Sequence, residues 1–211
     1  GATVTGSTLA DLLLGGGAVD VMSGGAGDDT LFGGGGADVL DGGTGNDIIV
    51  GGDQDDVLRG GAQDDFLYGG EGDDSLSGDG GNDVLQGGPG KDALSGGVGD
   101  DTYVLTNGWG QDTIFEANGG GQDVLDLTAV TDSMELVLSG GTLKGGTGGV
   151  TLSNQPGVFT GWRDVRGNFA TGDTVTVAQL GSFDEIQGLF LGGARQNSTF
   201  TVPASTSRPR R

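Results

Sequence analysis

Eleven aspartates recur at nine-residue intervals: Asp11, Asp20, Asp29, Asp38, Asp47, Asp56, Asp65, Asp74, Asp83, Asp92 and Asp101. A glycine stands five residues before each, from Gly6 to Gly96, and an apolar residue or Tyr two residues after, from Leu13 to Tyr103. A fixed period marks one structural unit stacked many times. One carboxylate per unit, at one geometric position, builds a column of like charge that needs a cation between its members. The chain has no cysteine and no histidine, so the donors are carboxylates and glycine-loop carbonyls. These are hard oxygens, and calcium accepts six to eight of them in flexible geometry. Magnesium, which prefers strict octahedra with bound water, fits such a cage less well.

The unit reads as nine positions, and Gly42-Gly43-Thr44-Gly45-Asn46-Asp47-Ile48-Ile49-Val50 is a clean copy. Glycine at positions one, two and four predicts a turn over positions one to six. Positions seven to nine predict a short strand with position eight inward and seven and nine outward. With two units per coil, same-side turns recur every 18 residues. One row then holds Asp11, Asp29, Asp47, Asp65, Asp83 and Asp101, and the other Asp20, Asp38, Asp56, Asp74 and Asp92. Cations between adjacent members number about nine, on the fixed count of adjacent pairs in stacked repeats. Residues 1–104 carry 20 acidic and 2 basic side chains, and residues 105–211 carry 10 and 7. This asymmetry assigns the cations to the first half and excludes nucleic acid as a ligand.

The chain has 211 residues, 50 of them glycine. A glycine-rich acidic chain is normally disordered, and here the strict period argues for order. The core is thin. One Leu-sized side chain per unit contributes roughly 1.5–3 kcal/mol, against roughly 1–2 kcal/mol for ordering each residue's backbone. Backbone hydrogen bonds and metal binding must close that gap, so binding and folding are expected to be one event.

The repeat resembles GGxGxDxUx, the calcium-binding nonapeptide of RTX (haemolysin-type) proteins. The resemblance covers residues 6–104. It implies an all-β fold: a right-handed parallel β-roll over residues 1–104, with calcium held by the position-six aspartates and loop carbonyls. It also implies export by type I secretion and folding in extracellular calcium. Degenerate copies, Gly110-Gln111-Asp112 and Gly121-Gln122-Asp123, read as a cap over residues 105–127, with Tyr103, Trp109 and Phe115 in its core. Residues 128–211 read as a smaller irregular β region ending in a disordered tail, Ser205–Arg211.

Departures from the unit weaken particular positions. Leu9 and Ala18 replace the position-four glycine before Asp11 and Asp20. Gln54 and Gln63 do so in two central units, and Asp79 replaces a second glycine. No phosphate loop, EF-hand, nucleophile elbow or spaced carboxylate pair is present, so no catalytic residue is expected and the chain reads as non-enzymatic. No apolar run reaches membrane-spanning length.

The leading expectation is a calcium-binding structural or adhesive module of a secreted bacterial protein, at the cell surface or free. Its partners would be calcium and other extracellular proteins or glycans. The alternative is the export-and-folding half of an RTX enzyme or toxin whose catalytic domain lies elsewhere. A further reading gives residues 128–211 a glycan- or protein-binding role around Phe159, Trp162 and Phe169.

Overall fold

The computed structural model describes residues 1–106, 108, 110, 112–115 and 123–129, and beyond them the backbone of the strands named below. Strands β1 (Thr3–Thr5), β2 (Leu12–Gly16), β3 (Val21–Ala26), β4 (Thr30–Gly35), β5 (Val39–Thr44) and β6 (Ile48–Asp53) open the stack. β7 (Val57–Ala62), β8 (Phe66–Glu71), β9 (Ser75–Gly80), β10 (Val84–Gln86), β11 (Ala93–Val98) and β12 (Thr102–Thr106) continue it. Then come β13 (Thr113–Phe115), β14 (Asp123–Ala129), β15 (Glu135–Ser139), β16 (Thr142–Lys144) and β17 (Gly149–Ser153). β18 (Trp162–Asn168), β19 (Thr174–Ala178), β20 (Gly188–Gly192) and β21 (Thr199–Thr201) end the series. No helix occurs among the described residues.

Odd and even strands separate into two sheets. From β1 to β13 the odd strands pair in order, and from β2 to β14 the even ones do. All these pairings are parallel with an 18-residue offset up to β11 and β12, as in Leu40↔Leu58 and Ile49↔Leu67. The result is a two-sheet β-solenoid of about six turns. The alternation of the strands explains its core. Position eight points inward throughout: Leu31, Ile49, Leu67, Leu85, Leu94 and Tyr103 are fully buried. Position seven points outward, leaving Val21, Val39, Ile48, Val57 and Phe66 exposed.

The turn is shorter than the sequence pattern suggests. β3 to β9 each run six residues, from position seven through the glycine pair to position three. Only positions four to six turn. The reason is stacking, because each glycine pair faces the glycine pair of the next coil, as in Gly25↔Gly43. A larger residue at the second glycine is strained, and Asp79 stands there in the left-handed region with φ of 71°. A Cβ at Gly43, where φ is +106°, would lie 2.2 Å from the Gly25 carbonyl oxygen.

Gln54 and Gln63 keep the glycine conformation, with φ of 80° and 83°. Their loops are therefore preserved at the expense of left-handed strain, worth about 1–2 kcal/mol for an L-residue. Gln54→Gly and Gln63→Gly are each expected to stabilise the roll by about 0.5–1 kcal/mol, the strain relief less the added freedom of the unfolded chain. Urea unfolding at fixed calcium checks this. A loss of stability in both variants would show that the glutamine side chains contribute more than the strain costs.

Past β12 the stack goes on. β13 pairs with both β11 and β17, and β14 with both β12 and β18, all in parallel. The strands placed by sequence in a cap at 105–127 thus lie inside the sheet order. Among the described strands, only β16 runs antiparallel to its neighbours, β15 and β17. Phe115, expected in the core of the cap, is 44% exposed at the outward position of β13, whereas Tyr103 is buried. The Tyr103 hydroxyl accepts a hydrogen bond from the Gly96 N–H. Trp109, Phe159, Phe169 and the tail Ser205–Arg211 lie outside the described residues, and only the backbone of Trp162 is described.

Candidate metal centre

The nine-residue period and the two-strand coil place the position-six aspartates in two columns. Each carboxylate bonds to the preceding coil. The Asp29 N–H donates to Asp47 Oδ1 at 2.7 Å, Asp38 N–H to Asp56 Oδ1 at 2.7 Å, and Asp65 N–H to Asp83 Oδ1 at 2.8 Å. The pattern runs unbroken from Asp11 N–H to the Asp101 carboxylate in one row. In the other it runs from Asp20 N–H to that of Asp92. One oxygen of each carboxylate is therefore committed to holding the stack.

The second oxygen is the informative one. In Asp29, Asp38, Asp47, Asp56, Asp65, Asp74, Asp83, Asp92 and Asp101, Oδ2 is buried and has no hydrogen-bond partner. These side chains are at most 3% exposed. Leaving a buried charged group unsatisfied costs several kcal/mol, so nine such oxygens in series require a common partner. Their surroundings supply more acceptors rather than donors. A point one Cβ bond from Gly42 lies 2.3 Å from Asp47 Oδ2 and 2.7 Å from the Gly60 carbonyl oxygen. The same pair of oxygens recurs at Gly51, with Asp56 Oδ2 and Gly69 O, and at Gly78, with Asp83 Oδ2 and Gly96 O. In these coils a side chain at position one would enter this space. Among the described residues no three acidic side chains converge on one point. A bound cation would thus draw most of its ligands from backbone carbonyls, with the aspartates contributing singly.

Asp11 and Asp20 stand apart. Asp11 Oδ2 accepts from the Ser7 N–H at 2.6 Å and the Ser7 hydroxyl at 2.9 Å. Asp20 Oδ2 accepts from the Gly16 N–H at 2.9 Å. In the interior the equivalent position-two N–H can serve the ladder instead, as Gly70 N–H does to the Gly87 carbonyl. The first two aspartates are in the columns, but their free oxygens are already satisfied.

A second ladder lies on the exposed shoulder of the turns and runs the opposite way. Here the later coil donates: Asn46 N–H to Asp28 Oδ1, Asp64 N–H to Asn46 Oδ1, and Asn82 N–H to Asp64 Oδ1. Position five therefore favours Asp or Asn for their acceptor oxygen, and Asp28, Asn46, Asp64 and Asn82 hold it without positive φ.

Electrostatics agree with an electronegative cavity. Burial raises the carboxyls of Asp56, Asp74, Asp83 and Asp92 from 3.8 to about 6, and that of Asp65 to about 7. The backbone N–H of the preceding coil opposes this, and neighbouring carboxylates add to it. Asp47 and Asp101 are raised by the same causes.

The columns also reach further than the period. Asp92 N–H donates to Asp112 Oδ1 at 3.1 Å, and Asp101 N–H to Asp123 Oδ1 at 3.0 Å. Insertions stretch these steps to 20 and 22 residues, which hides them from a nine-residue frame. The surviving signal is Gly-Gln-Asp followed by a β-branched residue and an aliphatic one, at both places.

Comparison with known proteins adds a family. The RTX calcium-binding nonapeptide repeat matches four overlapping stretches, residues 5–40, 14–49, 41–76 and 68–103. No curated protein matches the chain. Among solved structures, the chain is similar to the crystal structure of the extracellular lipase LipA from Serratia marcescens, with 20% identity and a TM-score of 0.39. The match covers 74% of this chain and 38% of that one, so the chain spans well under half the lipase's length.

Proposed function

We propose, from the premise that residues 5–103 belong to the RTX calcium-binding nonapeptide repeat family, that this chain is a calcium-dependent structural module of a secreted protein. It would be unfolded or loose where calcium is scarce and rigid where calcium is plentiful. The observation that carries the reading is the unbroken series of buried, unpartnered Oδ2 atoms from Asp29 to Asp101. Their donor set fits calcium, being hard oxygen throughout, charged once per turn and otherwise backbone. Calcium when bound would supply positive charge between the coils. The residues holding it would be these nine aspartates with the glycine carbonyls beside them. The module itself carries out no reaction. Its outer strand face, with Phe32, Ile48 and Phe66 exposed, suits a spacer or adhesive segment outside the cell.

Proton linkage offers a test. Without a cation, the folded carboxylates hold protons more tightly than unfolded ones do. They favour the roll below about pH 3.8, and that contribution is lost as pH rises through about 6 to 7. Calcium must displace those protons. In chelator the β signal is expected to rise as pH falls from 7.5 to about 4, and calorimetry at pH 7.5 is expected to show several calcium ions bound per chain. Magnesium is expected to give little heat. Equal binding of both ions, or a chelated chain that loses β signal as pH falls, would sink the assignment.

A further inference from the structure

We propose that Asp112, outside the nonapeptide array, supplies one more cation site of the same kind, between the turn ending at Asp92 and the turn carrying Gly108, Gly110 and Asp112. The inference rests on the calcium reading above. It adds a residue that the repeat pattern passes over, and it shifts the series of sites toward the C-terminal side.

Four observations place the second turn in the column. Gly90 and Gly110 form a parallel bridge, and Ala93↔Thr113 and Leu94↔Ile114 pair in register beside it. Thr113 N–H donates to the Asp92 carbonyl at 2.7 Å, as Ala93 N–H does to Asp74 one coil earlier at 2.8 Å. Gly110 has the positive φ of a position-four glycine, +85°, and a Cβ there would collide with the Gly90 carbonyl. Asp112 Oδ1 accepts the Asp92 N–H. The two-residue insertion is thus absorbed before Gly108, and Gly108, Gly110 and Asp112 take positions two, four and six of the turn, with Asn107 at position one by sequence.

The independent observation is the other oxygen. Asp112 is 1% exposed, its Oδ2 meets no donor, and its carboxyl approaches that of Asp92, so the pair must share a proton or a cation. Asp11 and Asp20, which do fall in frame, have theirs satisfied by Ser7 and Gly16. By this criterion the sites begin at Asp29 and end at Asp112 rather than running from Asp11 to Asp101. A cation there would fasten the chain beyond the frame break onto the roll.

The sequence supplies a reporter. Trp109 stands three residues before Asp112, and the only other tryptophan is Trp162. In a Trp162→Phe background, indole-sensitised terbium emission therefore reports on this turn, while bound calcium per chain is counted by equilibrium dialysis. Asp112→Asn is expected to bind one ion fewer and to lose most of the sensitised emission. An unchanged count and unchanged emission would overturn the site and leave Asp112 as a protonated buried carboxyl. If Asp112→Asn does not fold, Trp109→Phe decides the question with all ligands intact. Loss of the emission supports an ion at this turn, and its absence from the starting protein overturns it. A chain that binds no calcium at all would instead refute the broader reading, so the two failures are distinguishable.

Discussion

Asp56→Asn is expected to act in opposite directions with and without calcium. The asparagine keeps Oδ1 as acceptor for the Asp38 N–H, now at 2.7 Å. In place of the unpartnered Oδ2 it brings an amide donor, beside the Gly69 carbonyl that shares the space over Gly51. It also removes a charge whose ionisation is opposed by burial and by Asp74 and Asp38. In chelator at neutral pH the variant should therefore retain more β structure than the wild type. In calcium it should fold later, with a midpoint roughly tenfold higher, equivalent to about 1.4 kcal/mol. Melting curves in chelator and in saturating calcium measure both signs. A variant destabilised equally in the two conditions would mean that the aspartate serves only the ladder.

Leu67→Ala is expected to cost about 2–5 kcal/mol, the range for emptying a buried leucine site. Leu67 is 0% exposed, between Ile49 and Leu85 of its own sheet. Its neighbours cannot relax into the cavity, because each is fixed by its own strand register. Ile48→Ser, on the outer face of the neighbouring strand and 46% exposed, should change stability by only about 0.5 kcal/mol. Urea unfolding in saturating calcium compares them. Equal losses in both variants would show that the outer face is buried against a partner.

The column geometry was legible because a strict period leaves little freedom. Once Asp47 and Asp65 are 18 residues apart in a two-strand coil, they must be stacked, and Ile49 and Leu67 must be inside. The inward positions and both rows of aspartates follow from that one fact. What was not legible depends on contacts the period does not encode. The glycine pairs were read as turn, yet Gly25 and Gly43 pair as strand because another coil lies alongside them. Asp11 matches the repeat as well as Asp47 does by spacing, but Ser7 closes its free oxygen through an N–H and a hydroxyl. Asp112 fails the spacing and still joins the column, since an insertion between Tyr103 and Gly108 is absorbed ahead of the turn. Phe115 looked like cap core by its size. Its strand parity sends it outward, as the burial of Ile114 next to it requires.

The most direct test of calcium-coupled folding is far-UV circular dichroism of the full chain during a calcium titration, with magnesium as control. The expected result is a cooperative gain of β signal in the sub-millimolar to millimolar range, reversed by chelator and absent with magnesium. A chain that holds its full β signal in chelator at neutral pH would contradict the account. The buried Oδ2 atoms would then have to be satisfied without any cation.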